Sequence, residues 1–204
     1  MSEYQITCCS TADMPAQYFE EKKIPFVCFN FLMDGVQYPD DLGKSMPFKE
    51  FYKKIADGAE PTTAQVNTQQ YMELFEPILQ KGLDILHLTL SSGISGSINS
   101  ANIAKVQMEE KYPGRKVRII DSLSASSGYG MLVDMALTKQ QEGLSLEENA
   151  SWLEENRNKL HHWFFSTDLT SFIRGGRISK VSGFVGQALN ICPLMNVNSE
   201  GKLI

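Results

Sequence analysis

The sequence predicts an α/β fold in which a mainly parallel sheet is flanked by helices and is followed by a smaller second α/β domain. Strand-like runs alternate with helix-length segments as far as residue 157, which is the pattern of βαβ units. The hydrophobic content, 42% of 204 residues, is typical of a globular chain with a sizeable core. Beyond Arg157 the pattern changes to short strands and a basic turn, so we divide the chain into 1–157 and 158–204.

Hydrophobic periodicity assigns the elements in chain order. Dense apolar or β-branched runs predict strands at 4–9, 24–32, 83–90, 116–120 and 162–167. Apolar residues at helical spacing predict helices at 15–23, 47–57, 66–81, 95–110, 126–141 and 145–159. Asp34-Gly35 predicts a turn, Pro77 is expected to kink or divide its helix, and 184–197 predicts a short helix and then a strand. Right-handed crossovers place the carboxyl ends of parallel strands at one edge, where ligands bind.

The second domain is short for a unit that folds alone. It would hold about 47 residues (158–204), a size at which domains seldom fold without extra support. The sequence also ends soon after 198–201, which is typical of a hairpin turn. We therefore expect either further chain or a partner chain to complete this domain.

Charge and composition exclude several classes of function. Lys and Arg number 19 against 24 Asp and Glu, so the net charge is −5. Duplex-binding domains usually carry the opposite sign because they neutralise phosphates. No stretch reaches the ~18 apolar residues of a membrane span, and the N-terminus lacks the pattern of a secretory signal. We expect neither a nucleic-acid partner nor a membrane segment.

The cysteines do not suggest a metal centre. Cys8, Cys9, Cys28 and Cys192 form no CxxC pair, and only three histidines could join them as ligands. Reduced thiols in a cytoplasmic protein are therefore the expectation, with no metal.

The densest polar cluster is the serine loop, residues 91–97 (SSGISGS), between a predicted strand and a predicted helix. Free backbone N–H groups, glycines and the positive end of the helix dipole favour an anion there, either phosphate or carboxylate. Ser92, Ser95 and Ser97 add uncharged hydroxyl donors. The alternative is that Ser95 or Ser97 only caps the helix.

A second polar stretch, the threonine segment of residues 61–65 (PTTAQ), precedes the next helix upstream. Thr63 could cap that helix. If both segments face one crevice, Thr63 and Ser95 could hold the two oxygens of one carboxylate.

Other chemistries have weaker support. A serine nucleophile needs a nearby base, but G-x-S-x-G is absent and His87 lies inside a predicted strand, where a core role is more common. The usual phosphate-binding glycine motifs do not occur either. Asp121, at a strand end, is a candidate for the crevice, or else for bracing a loop or capping the next helix. A serine-dependent acyl- or phosphoryl-transfer enzyme acting on a small anion is therefore the second hypothesis, and a regulatory anion-binding module the third.

The basic turn, residues 174–180 (RGGRISK), carries three cations in an acidic protein. Its Arg174 and Arg177 could belong to an ordinary solvated turn, or could dock an acidic partner or a phosphorylated ligand.

Taken together, PTTAQ, SSGISGS, IIDS and FIRGGRIS, in this order, resemble the DegV family of bacterial fatty-acid-binding proteins. The resemblance implies two α/β domains with one long-chain fatty acid between them and no catalytic residues. It also implies that a separate fatty acid kinase phosphorylates the presented carboxylate for phospholipid synthesis. Carried over by motif, Thr63 and Ser95 would bind the carboxylate beside the Gly96 backbone, and Arg177 would contact the kinase.

The sequence departs from the family pattern in three places. Cys9 stands where an Asp usually precedes Ser-Thr, and Ala64-Gln65-Val66 replaces the common Ser-Gln-Pro. Family members also run on beyond the equivalent of Ile204, and that stretch would contribute a histidine near the carboxylate.

Overall fold

The computed structural model describes residues 3–179 and 192–204. Its helices are α1 (Ala16–Lys22), α2 (Phe48–Ala56), α3 (Thr68–Gln80), α4 (Ser97–Lys111), α5 (Ser126–Gln141), α6 (Leu146–Asn156) and α7 (Thr170–Arg174). Its strands are β1 (Tyr4–Cys9), β2 (Phe26–Val27), β3 (Asn30–Met33), β4 (Val36–Pro39), β5 (Thr62–Ala64), β6 (Asp84–Thr89), β7 (Val117–Asp121), β8 (Trp163–Phe165) and β9 (Leu194–Asn196). Short 3₁₀ turns follow β1 and α6.

A four-stranded parallel sheet in the order β2-β1-β6-β7 forms the centre of the molecule. Every residue of β6 is buried, as expected for a central strand covered on both faces. The predicted α/β class and the parallel sheet flanked by helices are therefore confirmed.

Helices cover both faces of this sheet. His87 of β6 meets the rings of Tyr71 and Phe75 from α3, with ring centroids 5.3 Å apart in each case. The next residue, Leu88, accepts a hydrogen bond at its carbonyl from Tyr129 of α5, at 2.5 Å. Because α3 packs with α4 and α5 packs with α6, the molecule has three layers, with the sheet in the middle.

The run 24–32 is not one buried strand, as predicted, but two short strands in different sheets. β2 pairs with β1 in the parallel sheet, whereas β3 lies in an antiparallel sheet in the order β4-β3-β5. Ser10 Oγ accepts a hydrogen bond from Phe29 N–H at 3.1 Å between them. The predicted turn is confirmed: Asp34 and Gly35 have φ of 53° and 78°, as a two-residue hairpin requires.

Helix α3 differs from expectation at its start and in its middle. Asn67 caps it through a reciprocal pair of hydrogen bonds with Gln70, so Thr63 is not its cap. Pro77 lies inside α3 without dividing it. Pro77 and Glu73, whose carbonyl loses the hydrogen bond, both lie on the exposed face, where water can bind that carbonyl.

The C-terminal residues form a small antiparallel β8–β9 sheet, and an arm at 202–204 pairs with β9. Large apolar side chains on this sheet and arm are between 62% and 72% exposed, namely Trp163, Phe165, Leu194 and Ile204. His162, just before β8, lies against Gly128 of α5, where an added Cβ would be 1.8 Å from the ring. The division at Arg157 stays a prediction, and the predicted helix from 184 lies outside the described residues.

Within residues 3–179 and 192–204, no helix is both long and apolar enough to cross a bilayer.

Candidate functional site

Ser91 holds the serine loop against the C-terminal hairpin. Its buried Oγ donates to Gly201 O at 2.7 Å and accepts from Gly93 N–H at 3.1 Å. The two glycines touch as well, since a Cβ on Gly93 would lie 2.6 Å from the Gly201 backbone. Ser91 and Gly93 therefore serve the packing of the loop rather than ligand binding.

Ser92 and Asp121 show how the exposed part of the loop is held. Asp121, at the end of β7, accepts hydrogen bonds from the backbone N–H groups of Ser92 and Leu123, each at 3.1 Å. Asp121 thus braces two loops, the second of the roles expected for it. The Ser92 side chain itself is exposed at the surface.

Ser95, Gly96 and Ser97 form the turn that enters α4. Gly96 is the N-cap residue of α4 and has no side chain with which to cap the helix, so neither Ser95 nor Ser97 occupies the cap position that the capping alternative requires. Ser95 is only 4% exposed, and its Oγ accepts from Ser97 N–H at 3.3 Å, which leaves its hydroxyl proton available to another acceptor. The Ser97 hydroxyl is fully buried beside the Tyr71 hydroxyl.

The threonine segment is an exposed strand rather than a capping loop. Thr63 lies in β5 opposite Phe31, and it reaches the serine loop through Arg177. The Arg177 guanidinium donates to Thr63 Oγ1 and to Ile94 O, both at 3.3 Å. Arg177 therefore brings together the two segments that were predicted to share a crevice.

Gln65 forms a second link between these segments. A Cβ added to Gly96 would lie 3.1 Å from Gln65 Oε1 and 3.3 Å from Gln65 Nε2, so the amide rests on the entrance to α4. Gln65 is the one residue of Ala64-Gln65-Val66 that matches the common Ser-Gln-Pro, and no ligand role was expected for it. Its position directly after β5, two residues from Thr63, is the signal that could have identified it.

The described part of the basic turn, residues 174–179, is less free than the sequence indicates. Arg174 forms an ion pair with Glu60 at 2.6 Å, just before the threonine segment. Arg177 also donates to Gly175 O at 2.7 Å. Both arginines are therefore bound to neighbours at the edge of the candidate site, and a role in partner binding stays a prediction.

A fully buried polar cluster lies within the sheet from which the serine loop emerges. Cys9 Sγ is 3.6 Å from Tyr71 Oη and 3.8 Å from His87 Nε2, and His87 Nδ1 is 2.8 Å from Thr7 Oγ1. Burial lowers the pKa of His87 to about 3 and raises the pKa of the Cys9 thiol. His87 is thus a neutral core residue, as expected.

None of the three histidines, all within the described residues, is placed as a base for a serine nucleophile. His87 bonds to Thr7, His161 is exposed, and the ring nitrogens of His162 have no hydrogen-bond partner among the described residues. The acyl-transfer hypothesis therefore lacks the serine–histidine pair that it requires. In the same described ranges, no three His, Cys, Asp or Glu side chains are grouped to hold a metal.

Two surface hollows lie away from this site. One of about 390 Å³ is on α6, lined in part by Leu144 and Trp152, and one of about 100 Å³ is beside α1. Among aromatic and methionine side chains that could line an acyl tunnel, Phe29 is buried, Phe31 is half-buried, and Met131 and Phe165 are exposed. Phe184 lies outside the described residues.

The fold and the site therefore define an α/β protein with a polar site at the start of α4. We call this site, between the threonine segment and the serine loop, the mouth. The chain belongs to the DegV family, described as "Uncharacterised protein, DegV family", whose sequence profile matches residues 4–204. It is 37% identical over 203 residues to the DegV domain-containing protein CPE0026 of Clostridium perfringens, covering 100% of this chain and 70% of that protein.

Solved structures similar to this chain include proteins that bind fatty acids. A stearic acid-binding protein from Eubacterium ventriosum has a TM-score of 0.89 and 27% identity, covering 98% of this chain and 68% of that one. A fatty-acid-binding DegV family protein from Thermus thermophilus has a TM-score of 0.84 and 30% identity, covering 100% and 70%.

Proposed function

We propose that this protein binds a long-chain fatty acid, with the carboxylate at the mouth between the threonine segment and the serine loop. Thr63, Ser95 and the Gly96 backbone are the primary ligands, and Ser92 and Ser97 lie on the same loop. The observation that carries the proposal is the pair of Arg177 hydrogen bonds to Thr63 Oγ1 and Ile94 O, because it brings the two predicted ligand segments together. The fatty-acid-binding relatives support the same class of ligand.

The chemistry of the mouth suits an acid headgroup. Hydroxyl donors and the first N–H groups of α4 stabilise a negative charge, and the Arg177 guanidinium lies beside Thr63. Burial of an acyl chain contributes about 0.8 kcal/mol per CH₂, so most of the affinity comes from the tail. The exposed apolar side chains of the β8–β9 sheet offer apolar surface of the required kind.

The finer part of the proposal is that the protein is a non-catalytic, cytoplasmic subunit. It would present the fatty acid to a separate kinase, which forms an acyl phosphate for phospholipid synthesis. The absence of a histidine bonded to the serine loop, among the described residues, favours this role over covalent catalysis. Arg174 and Arg177, at the edge of the mouth, are the proposed contacts with that kinase.

Lipid extraction of purified protein followed by mass spectrometry tests the ligand class, and titration with palmitic acid tests the site. Ser95→Ala and Thr63→Ala should each weaken binding about 10-fold or more, because each removes a hydrogen bond to a charged group. Thr62→Ala is the matched control, since Thr62 neighbours Thr63 on β5 and points to the opposite face of the strand.

The proposal fails if neither wild-type extraction nor titration detects an acyl chain. If Ser95→Ala and Thr63→Ala bind palmitic acid as tightly as the Thr62→Ala control, the carboxylate binds elsewhere. Labelling of Ser92, Ser95 or Ser97 by a fluorophosphonate would instead support the serine-dependent enzyme.

A further inference from the structure

We infer that Gln65 is a specificity residue for the acid headgroup, whose side-chain amide donates a hydrogen bond to the carboxylate. This inference rests on the proposed function and deepens it. Its starting point is the contact between the Gln65 amide and Gly96, the N-cap residue of α4.

The backbone around Gln65 is fixed on both sides. Ala64 pairs with Asn30 in the antiparallel sheet, Val66 is fully buried, and Asn67 is held in the capping box of α3. Thr63 lies within β5, and Gln65 is the first residue after that strand. Both side chains do contact the region of the serine loop, one through Arg177 and one through Gly96.

The amide has unused hydrogen-bonding capacity. Gln65 is exposed, and within the described residues no hydrogen bond to its side chain occurs. A primary amide offers two N–H donors and carries no charge. It can therefore bind a carboxylate at the entrance to α4, next to Gly96, at little cost from broken internal contacts.

A headgroup-exchange titration tests this role. Binding of palmitic acid and of hexadecanol is measured for wild type, Gln65→Ala and Gln65→Glu. Gln65→Glu keeps the shape of the side chain but places a negative charge against the carboxylate. We expect it to weaken palmitic acid binding about 10-fold or more and to change hexadecanol binding less than about 3-fold. Gln65→Ala should weaken palmitic acid binding by a smaller factor.

Gln69→Glu is the matched control for charge. Gln69 is exposed on the first turn of α3, four residues further along, and bonds to Glu73 at 3.0 Å. It should leave the acid-to-alcohol preference unchanged. Gly96→Ala provides a second test, because the added Cβ would displace the Gln65 amide. The change that Gly96→Ala makes in the acid-to-alcohol preference should be smaller when it is combined with Gln65→Ala.

The outcomes separate this inference from the proposed function. If wild type binds palmitic acid but Gln65→Glu and Gln69→Glu reduce its affinity equally, or Gln65→Glu weakens acid and alcohol alike, Gln65 does not contact the headgroup. If wild type binds neither palmitic acid nor hexadecanol, the proposed function itself is wrong.

Discussion

The two segments that form the candidate site differ in how the fold supports them. The serine loop buries Ser91, Ser95 and Ser97, follows the fully buried strand β6, and is braced by Asp121 and by the C-terminal hairpin. The threonine segment is an exposed edge strand that reaches the site through side chains, Arg177 and Gln65. The difference teaches that one half of the mouth is set by the core and the other half by surface contacts. Substitutions that disturb the serine loop should therefore lower the free energy of unfolding. Substitutions in the threonine segment should mainly lower the affinity for the ligand.

The largest loss of stability is expected from acidification. It acts through His87 of β6, the strand that leads into the serine loop. Burial holds the pKa of His87 near 3, against an ordinary value of 6.5. As pH falls below about 6.5 the unfolded chain binds a proton that the folded chain does not bind. The free energy of unfolding should then fall by about 1.4 kcal/mol per pH unit down to about pH 3.

Urea unfolding of wild type and His87→Gln between pH 7 and pH 4.5 measures this loss. His87→Gln should remove that part of the pH slope, and His161→Gln, at an exposed histidine, should retain it. An identical slope in wild type and His87→Gln would contradict the prediction.

The second largest loss of stability is expected from steric crowding at Gly93. Gly93→Ala places a Cβ 2.6 Å from the Gly201 backbone, so the hairpin must separate from the serine loop, at a cost of about 2 kcal/mol in unfolding free energy. Gly96→Ala is the matched variant, since its Cβ meets only the end of the Gln65 side chain and should cost less than about 1 kcal/mol. Equal thermal stability of the two variants would mean that the hairpin does not brace the loop.

Removal of one buried hydroxyl tests the support that α5 gives the sheet. Tyr129 Oη accepts from Cys9 N–H at 2.9 Å and donates to Leu88 O at 2.5 Å. Tyr129→Phe leaves both backbone groups unpaired in the core, so the unfolding free energy should fall by about 1.5 kcal/mol. Tyr52→Phe, at a side chain that is 66% exposed, should change it by less than about 0.5 kcal/mol.

The smallest effect is expected on the threonine side. Arg174→Ala removes the ion pair with Glu60, whose side chain is 71% exposed. Solvent screens such pairs, so the loss should stay below about 1 kcal/mol in denaturant unfolding. A loss as large as that of Gly93→Ala would contradict the view that this side depends on surface contacts.

Sequence periodicity predicted the bounds of an element well where the whole element lies in a single layer of the fold. Helix α5 begins and ends where the pattern predicts, at 126 and 141, and β6 differs from its prediction by one residue at each end. It failed at 24–32, where a continuous apolar run is shared between two sheets. Hydrophobicity indicates burial, but the hydrogen bond from Phe29 N–H to Ser10 that separates β2 from β3 joins residues distant in the chain.

The amino-acid sequence by itself determined the α/β class, the order of strands and helices and the polar character of the two ligand segments. These depend on local spacing and on residue chemistry, which the amino-acid sequence alone contains. Only the tertiary structure decided that Ser91 and Gly93 bind the hairpin, that Asp121 braces loops and that Gln65 and Arg177 join the two halves of the mouth. Those assignments depend on contacts between residues between 29 and 114 positions apart, and such contacts exist only after the chain has folded.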